Sequence, residues 1–351
     1  MLNLVCDLKK LQQNATSVQN WCHKAKIDPI FVSKCINSNP EVLKALKGFD
    51  WVADSNIENL KRIRKLRMRK MLLRSPSKDE LKDCLKYADS SLQSELSTIF
   101  ALEAEAKKQG RRHEFLIAVD LGDLREGFFY KKELLAAGKK LKELKSLRIR
   151  GVAANFSCFG AILPSPKNLA RLCDLAKKLE EILDYKLDVI SGGNSSSLEL
   201  LKRGQVPSAI NQLRIGAAVL CGDNPYMDSY FHDLHQDECF YLEARVIELK
   251  DKPSIPIGEQ GVDAFGKKPV FKDNGVVKRA ILNVGKASLE LDAIHIKSKG
   301  IEILGASSDH LLLDVSRYKK PLEIGSKIKI YLGYRALLRA SNSSYVKLKI
   351  K

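Results

Sequence analysis

Ile30-Phe31-Val32-Ser33-Lys34 is an apolar run of strand length that closes on a lysine. Similar runs recur at residues 51–53, 71–73, around 87–88, and at 115–119, 149–154, 187–190 and 212–215. Between them lie segments with helical apolar spacing, such as 92–108, 131–145 and 167–183, each long enough to carry the chain back to start a parallel strand. Eight strand/helix units predict an α/β protein with a closed (β/α)8 TIM barrel. An open, doubly wound sheet is the alternative.

From about Tyr230 the pattern changes to short strand-like runs separated by Gly, Pro and Asp, at 240–249, 279–284, 301–304, 311–315 and 328–332. This pattern predicts a C-terminal all-β domain. The turn residues Gly222-Asp223-Asn224-Pro225 mark the approach to the boundary. The expected division is a barrel over residues 1–229 and a β domain over 230–351, with residues 1–8 available to join the β domain as an extra strand.

The 351 residues, 44% of them hydrophobic, suffice for such a barrel and a smaller domain. The start of the chain lacks the cationic-then-apolar order of a signal peptide, and no apolar stretch approaches the roughly 20 residues that span a bilayer. A cytoplasmic protein without a membrane partner is expected. Eight scattered cysteines form no C-x-x-C pair, so reduced, buried thiols are expected rather than disulfides or a zinc knuckle. His232-x-x-His235 has no third ligand, and no metal is expected. The net charge of +18 is dispersed; its densest run, residues 61–70, reads as a solvated helix face, without the interleaved aromatics of a nucleic-acid site.

In a barrel the C-terminal strand ends meet on one face, and the polar groups there form a coherent set. Lys34 ends the first strand; Asp120, Asp123 and Arg125 follow the fifth; Asn155, Ser157 and Cys158 end the sixth; Arg214 and Gly216 close the eighth. After the seventh comes Ser191-Gly192-Gly193-Asn194-Ser195-Ser196-Ser197, which opens a helix with hydroxyls and backbone N–H groups suited to a phosphate. Taken singly, a strand-end lysine is usually a surface or ion-paired residue, a Gly-Ser turn a helix cap, and Arg125 a partner for Asp120 or Asp123. Together, an amine able to form a Schiff base and a phosphate cradle point toward pyridoxal 5'-phosphate.

Residues 119–127 (Val-Asp-Leu-Gly-Asp-Leu-Arg-Glu-Gly), 191–198, 257–266 (Ile-Gly-Glu-Gln-Gly-Val-Asp-Ala-Phe-Gly) and 303–310 (Ile-Leu-Gly-Ala-Ser-Ser-Asp-His) resemble, in order, motifs of the ornithine-specific branch of the alanine racemase family. That family consists of pyridoxal-phosphate enzymes with a barrel and a β domain. The resemblance implies racemisation of ornithine or a similar basic amino acid by removal and return of the Cα proton, in a homodimer whose active site is shared between subunits. It implies Lys34 as the Schiff-base lysine and one acid/base group. Arg125 corresponds to the arginine at the cofactor's phenolic oxygen, and Arg214 to the one facing its pyridine nitrogen. Asn194, Ser195, Gly216, Ala217 and Tyr334 fall at phosphate contacts.

The chain also departs from the family. Asn155 stands where alanine racemases carry histidine, Asn37-Ser38-Asn39 replaces a tyrosine, and no tyrosine lies between Tyr241 and Tyr318 to act as the second base. Asp263, His310 and Cys158 are the candidates to replace it, Asp263 slightly ahead because it lies in the matching Gly-rich stretch. Asp123, Glu126, Asp223 and Asp309 are candidates to receive a distal substrate ammonium. Alternatives within the class are an alanine, serine or lysine racemase, a decarboxylase or a lyase. Outside it stand a non-catalytic protein that manages pyridoxal phosphate, which lacks the β domain, and a nucleic-acid binder resting on charge alone.

Overall fold

The computed structural model describes residues 2–351. β1 (Leu2–Cys6) is followed by α1 (Leu8–Lys24) and then by eight parallel strands: β2 (Asp28–Val32), β3 (Trp51–Asp54), β4 (Arg69–Leu72), β5 (Ser90–Gln93), β6 (His113–Val119), β7 (Leu147–Ala154), β8 (Val189–Ser191) and β9 (Gln212–Ile215). Each pairs with the next, and β9 returns to β2 through Pro29 opposite Leu213 and Ile30 opposite Arg214, so the barrel is closed and the open-sheet alternative falls away. The crossovers carry α2 (Pro40–Ala45), α3 (Ile57–Arg62), α4 (Leu81–Tyr87), α5 (Leu96–Gln109), α6 (Lys131–Leu141), α7 (Pro166–Leu183) and α8 (Leu198–Lys202), and α9 (Ala217–Cys221) comes after the last strand.

Alternation along the strands makes the barrel interior. Ile30 and Val32, Trp51 and Ala53, Leu116 and Ala118 lie two apart and share one buried cluster with Met71, Leu92, Ala153 and Val189. The intervening Phe31, Val52 and Leu72 are equally buried, which explains why these strands read as continuous apolar runs. Gly151 has a steric cause: a Cβ there would stand 1.9 Å from the Val189 carbonyl oxygen of β8. The best-defined crossover, α7, starts on a capping box between Ser165 and Asn168 with Pro166 in its first turn, and stops at Asp184 in left-handed conformation (φ 63°).

Three local expectations need correction. The fourth barrel strand is Ser90–Gln93, and residue 87 belongs to α4. The strand is polar and only partly satisfied: Gln93 Nε2 donates to Ser91 Oγ at 2.8 Å and Ser91 Oγ lies 2.9 Å from His113 Nε2, while Ser90 Oγ and Gln93 Oε1 are buried without a partner. The basic run 61–70 is not one helix face. α3 ends at Arg62, the chain turns, and Lys70 enters β4 with its ammonium on the carbonyls of Leu66 and Met68. Finally, the helix expected over 131–145 stops at Leu141.

A short hairpin of β10 (Asp223–Asn224) and β11 (Ser229–Tyr230) precedes the second part. There β12 (Phe240–Pro253), β13 (Val276–Leu282), β14 (Ile294–His295), β15 (Glu302–Ala306), β16 (Leu311–Asp314), β17 (Lys327–Leu332) and β18 (Val346–Ile350) form a mainly antiparallel sheet, with α10 (Tyr334–Asn342) before the last strand. β1 belongs to this sheet, antiparallel to β12 and parallel to β18. Two compact units result: Leu8–Gln236, and Asp237–Lys351 together with β1. Among the described residues no helix is long and apolar enough to cross a membrane. The eight cysteines are unbridged, with Cys158 exposed and the other seven buried.

His113 gives the barrel a pH dependence. Burial pulls its imidazole down from 6.5 to about 4, against the upward pull of Asp89 and of a backbone bond to Ala88. The unfolded chain takes up a proton near 6.5 and the folded chain only near 4, so this contribution is intact above 6.5 and is lost as pH falls through that window. Its ceiling is about 3 kcal/mol. In thermal melts between about pH 7 and pH 4, the wild type should lose stability more steeply than His113→Gln, and parallel profiles would refute the assignment.

Candidate active site

The C-terminal ends of β2, β7, β8 and β9 are drawn together by side chains that the strand ends themselves supply. Arg214 of β9 is buried, donating from Nη2 to the Ala154 carbonyl of β7 at 2.6 Å and from Nη1 to the Ser191 hydroxyl of β8. Its backbone N–H donates to the Gly193 carbonyl at 3.0 Å. Desolvation lowers the guanidinium to about 10, still well above neutrality, so it stays charged. Among the described residues no carboxylate forms an ion pair with it, and its charge faces neutral oxygens. This is a costly arrangement for a cation unless something at the site uses it.

The turn after β8 is built around Asn194. Its Oδ1 accepts from the Ser196 N–H and hydroxyl, while its Nδ2 donates to the Phe156 carbonyl at 2.7 Å and lies 3.3 Å from Asn155 Oδ1 and 3.7 Å from Cys158 Sγ. Gly193 is required here: its φ is 113°, and a Cβ would press on the Phe156 ring. Ser195 Oγ accepts from the Ala218 N–H, tying this turn to the start of α9. Gly216 opens that helix in a tight space, where a Cβ would lie 3.0 Å from the Val32 carbonyl oxygen of β2. Asn155 Nδ2 is buried without a hydrogen-bond partner. Such an orphaned donor calls for an acceptor supplied from outside the chain.

Lys34 sits half-buried in a single 3₁₀ turn directly after β2. Beneath that turn runs a network not anticipated from sequence. Ser33 Oγ and Ser38 Oγ are 2.7 Å apart, and Ser38 donates to Asp54 Oδ2 at 2.7 Å. Asp54 also accepts from Asn59 Nδ2 and the Asn56 N–H. Asn37 and Ser38 take left-handed backbone, φ 50° and 44°, to close the turn. Desolvation raises the Asp54 carboxyl, partly opposed by these hydrogen bonds and by the positive charge of Lys34. Asp54 ends β3 as Lys34 follows β2; a polar residue closing the run Trp51-Val52-Ala53 was the available signal.

Elsewhere the predicted residues have definite jobs. Arg125 pairs with its neighbour Glu126 rather than with Asp120 or Asp123. Those two carboxylates hold backbone: Asp120 accepts from the N–H groups of Gly122 and Leu124, and Asp123 from those of Cys158, Phe159 and Ile162. Asp123 therefore binds the loop after β6 to the loop after β7. Tyr334, Asp263 and His310 lie in the β unit. Tyr334 opens α10; Asp263 accepts from the N–H groups of Phe265 and Lys267, which hold its carboxyl below the usual range; His310 is exposed, its Nδ1 3.4 Å from Ser307 Oγ. His235 Nε2 bonds with Gln13, and among the described residues no three potential metal ligands gather.

The family model described as "Alanine racemase, N-terminal domain" matches residues 6–225. The chain is 41% identical over 351 residues, 99% of each sequence, to ornithine racemase of Acetoanaerobium sticklandii. It is 33% identical over 347 residues to lysine racemase of Thermotoga maritima, covering 98% of this chain and 96% of that one. The solved alanine racemase of Bartonella henselae with covalently bound pyridoxal phosphate superposes with a TM-score of 0.74 over 100% of this chain and 99% of its own, at 16% identity.

The Asp54 network makes a stability prediction. Asp54→Ala strands the Ser38, Asn56 and Asn59 donors beneath Lys34, which should cost about 2–4 kcal/mol. Denaturant unfolding should show a lowered midpoint with an unchanged slope. An unshifted midpoint would mean that the network does not support the Lys34 turn.

Proposed function

This chain belongs to the alanine racemase family, and we propose that it interconverts the L and D forms of a basic amino acid, ornithine foremost, with pyridoxal 5'-phosphate as cofactor. The observation that carries the cofactor is the donor set at the barrel mouth: a half-exposed amine, an orphaned amide N–H, a hydroxyl beside a glycine turn, and a buried guanidinium without a carboxylate. These residues fit the group. Lys34 would hold its aldehyde carbon, Asn194, Ser195, Gly216, Ala217 and Tyr334 its phosphate, Arg125 its phenolic oxygen with Asn155 beside it, and Arg214 its ring nitrogen.

Pyridoxal phosphate, when bound, supplies an electron-withdrawing ring that makes the proton on the substrate's Cα removable. The chain's own residues decide where that proton goes. Arg214 remains protonated and can only donate, so a ring nitrogen placed against it would stay unprotonated. That would weaken the electron sink and favour prompt return of the proton to Cα, the outcome a racemase needs. Lys34 Nζ takes or delivers the proton on one face. For the opposite face we assign His310 ahead of Asp263. The Asp263 carboxylate is engaged by the backbone N–H groups of Lys267 and Phe265 and held below its usual range, which makes it a poor proton carrier, whereas the His310 ring is exposed and has only a 3.4 Å contact with Ser307 Oγ. The assignment places His310 at the partner subunit's substrate, with a homodimer as the working form. Unbridged cysteines suit the cytoplasm.

Incubated with L-ornithine in D2O, the protein loaded with pyridoxal phosphate should yield D-ornithine carrying deuterium at Cα. Lys34→Ala should lower the rate by roughly a thousandfold. Failure to interconvert the enantiomers of any basic amino acid, with cofactor bound, would overturn the reading. His310→Ala should slow racemisation in both directions while the other face still exchanges its Cα proton for deuterium from one enantiomer, as expected when one face loses its proton group. A slight effect beside a large one for Asp263→Ala would reverse the assignment.

A further inference from the structure

At the N-terminal strand ends, opposite the end that carries Lys34, the barrel holds a second concavity of about 790 Å³, lined where β4 to β7 begin. Nine lysines and arginines line it against two acids, Asp89 and Glu114. The acids are already engaged. Glu114 is shared among Arg69 at 3.5 Å, Arg148 at 3.4 Å and Arg150 at 3.7 Å, Arg148 is paired more closely with Asp188 beside the hollow at 2.6 Å, and Asp89 accepts from the Lys70 backbone N–H at 2.7 Å. Arg111 reaches only the Leu85 carbonyl. Arg112, Lys142 and Lys145 have no acidic side-chain partner among the described residues. Like charges crowded into one hollow repel one another, and a cleft lined by one sign focuses its potential on ions of the other.

We propose that this hollow is a binding site for an oligophosphate chain, separate from the catalytic end of the barrel. A single phosphate would engage only a few of these cations, and a volume of this order accommodates a small molecule rather than one ion. The arginines supply planar forks matched to phosphate oxygens. The wall's two tyrosines are already covered by cations, Lys86 over Tyr87 at 5.2 Å and Arg148 over Tyr185 at 5.3 Å. A base stacking on these rings would compete with the cations already there, and recognition rests first on the phosphates. Part of the chain's net charge of +18 thereby acquires a use.

The test is calorimetric titration of the full chain, loaded with pyridoxal phosphate so that the catalytic end is filled, using inorganic tripolyphosphate, ATP and orthophosphate as probes. Tripolyphosphate should bind one per chain, more weakly as salt rises, and orthophosphate much less tightly. Arg112→Glu with Lys145→Glu should weaken tripolyphosphate by about a hundredfold, roughly tenfold for each cation reversed, while turnover of ornithine stays unchanged. ATP matching tripolyphosphate would identify nucleotides as a source of the chain, and tripolyphosphate alone would point to inorganic polyphosphate; either supports the site. Tripolyphosphate affinity that the double variant leaves unchanged, or binding only to long nucleic acid, would overturn it.

Discussion

Arg214 donates from β9 to the Ser191 hydroxyl of β8 and the Ala154 carbonyl of β7, and its own amide holds the Gly193 carbonyl. One buried guanidinium thus fixes three consecutive strand ends and the glycine turn between two of them. The turn must stay where it is because Gly193 abuts the Phe156 ring, and the next turn because Gly216 abuts β2. Removing the cation from water is unfavourable and is only partly offset by neutral acceptors. A charge retained under that penalty is better explained by chemistry at the barrel mouth than by packing. A guanidinium there donates and does not accept a proton, the property on which the proposed racemase chemistry relies.

The alternation of apolar strand runs and helix-length segments made the barrel legible because parallel strands covered on both faces must be apolar throughout. Where that rule fails, legibility fails. β5 is Ser90-Ser91-Leu92-Gln93, three polar residues in four and all buried, with Ser91 bonded to Gln93 and to His113. Periodicity cannot reveal such a strand, since its burial rests on partners distant in sequence. The basic stretch 61–70 misled for a related reason: its charges serve a helix end, a turn and a strand entry in succession.

At the mouth, strand-end position was enough to single out Lys34, Asn155, Asn194, Ser195, Arg214 and Gly216, since the barrel's geometry brings such ends together whatever their distance in sequence. It did not disclose partners. Arg125 turns to adjacent Glu126, Asp123 serves three backbone N–H groups of another loop, and Asp54 with Ser38 supports the lysine turn from below. These are side-chain orientations set by tertiary packing. The basic hollow at the opposite end was invisible for the same reason, its cations coming from separate strand starts and appearing in the sequence only as dispersed charge.

Everything proposed for the mouth depends on Lys34 being the residue that takes the cofactor aldehyde. The direct measurement is reduction of the pyridoxal-phosphate-loaded protein with borohydride, followed by peptide mapping with mass spectrometry. One stable pyridoxyl modification is expected, on the peptide carrying Lys34, and none there in Lys34→Ala. Modification centred on another lysine, or scattered over the many surface lysines with Lys34 untouched, would contradict it.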